Sequence, residues 1–108
     1  MTKLSQVKLR KMTIGQKIRE LRERTGMLQR ELAYELKVGD AYLSKIESNQ
    51  KNLKKEHLTT ISKLFKYSYS ELETLWLANK VYDLIKDEKK AIEVLKVAEQ
   101  EIKYRKTL

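Results

Sequence analysis

Apolar positions recur at helical spacing along most of the chain. Ile14, Ile18 and Leu21 fall at i, i+4 and i+7, which puts them on one face of a helix over about 13–25. Thr13 stands where an N-cap belongs, and Gly26 where helices commonly stop. A second helix, about 28–37, turns Leu32, Ala33 and Leu36 inward. A break at Val38-Gly39 separates it from a third, about 40–48, with Leu43 and Ile46 inward. The polar stretch Asn49-Gln50-Lys51-Asn52 reads as a loop, and a fourth helix, about 54–66, presents Leu58, Ile61, Leu64 and Phe65. Ser70 with Glu73 has the capping-box spacing and predicts the start of a fifth helix, about 71–86. Its apolar residues Leu72, Leu75, Trp76, Leu77, Val81, Tyr82, Leu84 and Ile85 cover more than one face, so one packing surface cannot hide them all. A sixth helix, about 88–103, lines up Ala91, Ile92, Leu95, Ala98 and Ile102. Residues 1–12 carry Lys3, Lys8, Arg10 and Lys11 without such a pattern and read as a mobile basic arm, with Met12 an alternative start.

Composition narrows this to an all-α fold. Proline is absent and glycine occurs only at positions 15, 26 and 39, too few for sheets built on tight turns. The 108 residues suffice for one domain, or one domain with a helical extension. With no cysteine there is neither a disulfide framework nor a thiolate metal site, which suits a reducing cytoplasm. No apolar run is long enough to span a membrane or serve as a signal sequence.

Charge adds a direction. The net +9 is concentrated in residues 1–55, where 14 basic side chains face six acidic ones; residues 56–108 hold ten and nine. A polyanion partner for the first half is one reading, and a merely basic, soluble surface is the other. Enzymatic chemistry is poorly provided for. His57, the only histidine, is expected on the exposed face of the fourth helix, so no metal site can be assembled around histidines. Glycine-rich phosphate loops are missing, and the carboxylates alternate with lysines as on solvated helix faces. No catalytic residue, metal or cofactor is expected.

The stretch QRELAYELKVGDAYLSKIESN, residues 29–49, carries the functional signal. A helix-turn-helix needs two short helices crossing closely at a tight turn. Ala33 supplies the small residue at the crossing, and Leu32, Leu36, Val38, Leu43 and Ile46 lock the pair. With Gln29, Leu32-Ala33, Leu36, Val38, Leu43, Ser44 and Glu47 in register, and IGQKIRELRERTG upstream, the chain resembles the Xre family of Cro/repressor-type regulators over about residues 14–67. Two positions depart from the family: Lys37 stands where the turn usually has glycine, and Gly39 where the third helix is usually capped by serine or threonine. A lysine forced to positive φ would strain the turn, whereas glycine is a tolerable cap.

The resemblance implies a five-helix-type repressor DNA-binding domain that places its third helix in the major groove of an operator. It assigns base reading to Asp40, Ala41, Ser44 and Lys45, with Gly39 close to the DNA backbone. Lys45 can donate to guanine, Asp40 can accept from cytosine, and Ala41 can touch a thymine methyl. It assigns phosphate contact to Gln29, which can also brace the third helix. Asn49, Lys51, Asn52, Lys54 and Lys55 bring amides and ammonium groups to where phosphates pass. Tyr42 either approaches the sugar-phosphate backbone or lies half-buried beside the fourth helix. Arg22 and Glu47 match a partly buried ion pair of the family that fixes the recognition helix; a solvated pair is the alternative.

One such module contacts few base pairs, and a dimer reading two half-sites about 34–36 Å apart solves that. The chain is thus expected to comprise an arm (1–12), a DNA-binding domain (13–67) and a C-terminal helical dimerisation region (68–108), with Leu72, Leu75, Trp76, Leu77, Ile92 and Leu95 at the dimer interface. The tail is similar to those of small regulators encoded beside DNA methyltransferases. Two functions stay in view: a homodimeric transcriptional regulator binding a double-stranded DNA operator, and an antitoxin-like module that autoregulates its operon while its tail holds a protein partner.

Overall fold

The computed structural model describes residues 12–107, so all of the N-terminal arm except Met12 lies outside the described residues. Among the described residues six helices follow one another: α1 (Ile14–Arg24), α2 (Gln29–Leu36), α3 (Asp40–Glu47), α4 (Lys55–Phe65), α5 (Tyr69–Ile85) and α6 (Ala91–Lys106). The all-α architecture is the expected one, with each of the first four helices within a residue of its predicted limits. Thr13 caps α1 as predicted. Its hydroxyl accepts the Gln16 N–H at 3.1 Å, and the Gln16 side chain accepts the Thr13 N–H at 2.9 Å. The cap of α5 differs. Ser68, not Ser70, accepts a helix N–H, that of Glu71 at 3.2 Å, so α5 starts earlier than predicted.

The first four helices all stop by the same device. A residue in left-handed conformation lets the following N–H reach back five positions: Met27 to the Arg22 carbonyl, Val38 to Ala33, Gln50 to Lys45 and Tyr67 to Ser62. Only the first of these turns uses glycine, Gly26 at φ +72°. The others use Lys37 at φ 58°, Asn49 at φ 68° and Lys66 at φ 50°. Lys37 therefore does carry the strain expected of a side chain where the turn favours glycine.

One core joins five helices. It holds Ile14, Ile18 and Leu21 of α1, Leu32, Ala33 and Leu36 of α2, Leu43 and Ile46 of α3, Leu53, and Leu58 and Ile61 of α4. Leu72, Leu75 and Trp76 of α5 close it. This corrects two expectations. A boundary after Tyr67 would cut through the core, and Leu72, Leu75 and Trp76 are buried within their own chain instead of being presented to a second protomer. The α1–α4 layer alone lacks the apolar lid that these three residues provide. Beyond them α5 emerges from the core, leaving Leu77, Val81 and Leu84 exposed, and α6 has no buried residue. The radius of gyration, 15.7 Å, accordingly exceeds the roughly 13 Å of a globular chain this long.

Candidate nucleic-acid interface

The two sides of α3 differ in kind. Leu43, Ile46 and Glu47 are buried, whereas Asp40, Ala41, Ser44 and Lys45 are all exposed. Spaced i, i+1, i+4 and i+5, these four form one outward strip along the helix. Gly39 precedes them in extended conformation, φ −75°, and is exposed as well. The structure thus brings the five sequence-predicted base-reading positions together on one solvent-facing surface.

What orients that surface lies behind it. Arg22 Nε donates to Glu47 Oε2 at 2.8 Å and Nη2 to Oε1 at 3.0 Å, a two-pronged pair between α1 and α3. Arg22 Nη1 also donates to the Met27 carbonyl at 2.9 Å, and the Gln29 amide donates to Glu47 Oε1 at 3.1 Å. The Glu47 side chain is only 4% exposed and that of Arg22 12%, so the solvated alternative does not apply. Hydrogen bonding to Glu47 raises the Arg22 pKa further above its ordinary value. One carboxylate therefore ties α1, the start of α2 and the end of α3 into a single frame. Gln29 takes the bracing role anticipated for it.

The loop after α3 is held at both ends. Gln50 and Lys51 N–H groups return to the Lys45 carbonyl, and the Thr13 hydroxyl donates to Asn49 Oδ1. Lys51 and Lys54 are exposed, with Lys51 Nζ 5.7 Å from the centre of the Tyr42 ring. Tyr42 itself is half-buried against the core, the second of its two anticipated settings. One expected phosphate contact is not presented. Asn52 Nδ2 is buried without a hydrogen-bond partner among the described residues, while its Oδ1 accepts the Leu53 N–H at 2.9 Å. Lys55 is exposed, with its ammonium 3.4 Å from Glu73 of α5. His57 is a further correction. It is buried rather than exposed, because its Nδ1 accepts the Lys54 N–H at the start of α4. Burial, opposed by Glu56 and aided by Lys54, lowers its pKa.

Three residues that shape the site had no sequence signal attached. Gly15 lets α1 pass against the end of α3; a Cβ there would strike the Ile46 carbonyl oxygen and approach Asn49 Oδ1 within 2.8 Å. Lys17 is buried, with its ammonium 2.7 Å from Glu20 and 4.9 Å from the centre of the Tyr67 ring. Burial works to lower its pKa, but Glu20 and Tyr67 outweigh that and raise it. Leu53 is the third, a buried apolar residue inside a stretch that reads as a polar loop.

The helix-turn-helix domain family matches residues 15–82, which takes in all of α1–α4 except Ile14 and most of α5. The chain is a member of that family. It carries a helix-turn-helix DNA-binding domain of the Xre, or Cro/repressor, type. Among solved structures, a chain of the SinR protein/SinI protein complex is similar: 28% sequence identity and a TM-score of 0.50, covering 89% of this chain and all of that one. No curated protein matches. Among the described residues no helix is long and apolar enough to cross a membrane.

Proposed function

We propose that this helix-turn-helix protein is a cytoplasmic transcriptional regulator that binds an operator in double-stranded DNA as a homodimer, with α3 of each protomer in the major groove. The observation that carries the reading is the exposed polar strip of α3, held from behind by the buried Arg22–Glu47–Gln29 frame. A helix orientation set by three hydrogen bonds to one carboxylate is suited to reading base edges, which tolerates little angular error. Asp40, Ala41, Ser44 and Lys45 are the base-reading residues in this proposal, with the Gly39 backbone beside the DNA. Lys51, Lys54 and Asn49 meet phosphates, and Gln29 does so with whatever capacity Glu47 leaves it.

Self-association is proposed through the part of α5–α6 that the core leaves uncovered. Leu77, Ile92 and Leu95 remain as interface residues, joined by Val81, Leu84 and Val97, all exposed in the single chain. So many exposed apolar side chains on two consecutive helices call for a partner. A second reading gives that partner a different identity. The similar SinR chain is described in a complex with another protein, SinI, and an antitoxin-like chain would use its own tail for a foreign partner. The resemblance of the tail to regulators encoded beside DNA methyltransferases draws no support from the comparisons. Footprinting on DNA upstream of the protein's own gene tests the proposal. A protected site lost in Lys45→Ala is expected, and equal loss of cognate and random DNA by that variant would remove its reading role.

A further inference from the structure

We infer that Trp76 is a positioning residue for the phosphate-contacting loop, so that α5 acts on DNA without touching it. The inference rests on the proposed DNA-binding role of that loop. Lys51 and Lys54 flank Leu53, whose side chain is buried and whose carbonyl oxygen accepts the Trp76 indole N–H at 2.8 Å in a buried hydrogen bond. Lys55, immediately after, pairs with Glu73 one turn earlier on α5. The far end of the loop is therefore fastened to α5 by a side chain in the core, one hydrogen bond and one ion pair. Its near end is fastened to α3 through the Lys45 carbonyl.

The Trp76 bond is the directional member of this set. A buried carbonyl that loses its donor carries an unmet desolvation cost, which the backbone around Leu53 relieves by shifting toward a new partner. Such a shift moves Lys51 and Lys54 together. The same indole has the Lys80 ammonium 4.3 Å from its ring centre, on the side where α5 leaves the core and its exposed apolar residues begin. Trp76 thus stands between the loop and the surface proposed for self-association.

Trp76→Phe tests this, because phenylalanine keeps an aromatic ring in the core while removing the donor together with part of the indole's volume. Ile18→Val, a core truncation on α1, serves as the control for general loss of stability. In the full chain, labelled-duplex anisotropy should show Trp76→Phe binding cognate and random duplexes about five- to twentyfold more weakly. Its dependence of log affinity on log salt should be shallower by about one phosphate contact. Ile18→Val should match wild type in both. Without DNA, amide exchange at Lys51, Leu53 and Lys54 should rise about tenfold or more in Trp76→Phe and not in the control. Equal DNA affinity and salt slope for the two variants, or unchanged loop exchange in Trp76→Phe, overturns the inference while leaving the DNA-binding proposal standing. A wild-type chain that binds no duplex, with the loop exchange still raised in Trp76→Phe, overturns the DNA-binding proposal instead and upholds Trp76 as the loop's anchor.

Discussion

Replacing Arg22 by alanine should cost far more than the loss of a surface charge. Arg22 provides two of the three hydrogen bonds that the Glu47 carboxylate receives, and Glu47 is almost fully enclosed. The variant would leave that carboxylate buried with only the Gln29 amide for a partner. Stranding one member of a buried ion pair costs about 3–5 kcal/mol, and the remaining Gln29 bond places the expected loss near the lower end. For a domain of this size each kcal/mol lowers the melting temperature by about 4–8 °C, so a drop of at least about 12 °C is expected. Replacing both partners, as Arg22→Met with Glu47→Leu, should restore most of the loss, since no charge is then left uncompensated. Thermal denaturation followed by circular dichroism reads all three proteins. An Arg22→Ala protein melting within about 3 °C of wild type, less than one kcal/mol on that scale, would refute the reasoning, as would a double variant no more stable than the single one.

Gly15→Ala should destabilise by about 1–3 kcal/mol, because the new methyl meets backbone, the Ile46 carbonyl, and not a movable side chain; urea denaturation checks it. At Gly39 nothing lies within 4 Å of an added Cβ, so Gly39→Ser should stabilise by a few tenths of a kcal/mol through a new cap on α3. Lys37→Gly should raise the melting temperature slightly, since relief of about 1–2 kcal/mol of left-handed strain exceeds the roughly 0.5–1 kcal/mol entropic cost of glycine. The lowered pKa of His57 means that the unfolded chain binds a proton before the folded one does, so stability should fall as pH drops below about 6.5 toward the folded-state value. Melting temperatures at about pH 7.5 and about pH 5.5, on either side of the ordinary histidine range, should therefore differ less in His57→Gln than in wild type.

The helices were legible because they rest on local patterns: apolar spacing set Ile14, Ile18 and Leu21 on one face and turned Leu43 and Ile46 inward. The strip of Asp40, Ala41, Ser44 and Lys45 was legible only through the family resemblance, and the structure exposes all four. What stayed hidden depends on partners distant in sequence. Leu72, Leu75 and Trp76 look like surplus on α5 until α1–α4 are assembled and shown to lack a lid. His57 reads as a polar helix residue until its ring accepts the Lys54 N–H, and Asn52 as a phosphate ligand until its amide nitrogen turns inward. Lys66 ends a helix in a left-handed conformation that its residue type does not announce, whereas Asn49 is of a type that tolerates it.

Selection from a pool of random duplexes tests the central claim most directly. The full-length protein should enrich one motif, built of two symmetry-related half-sites whose centres lie about 10–10.5 base pairs, or a multiple of that, apart. The Lys45→Ala protein should lose preference at the same position within both half-sites. A pool that stays random after repeated rounds, although the protein is folded and retains duplexes at low salt, would contradict sequence-specific recognition by α3.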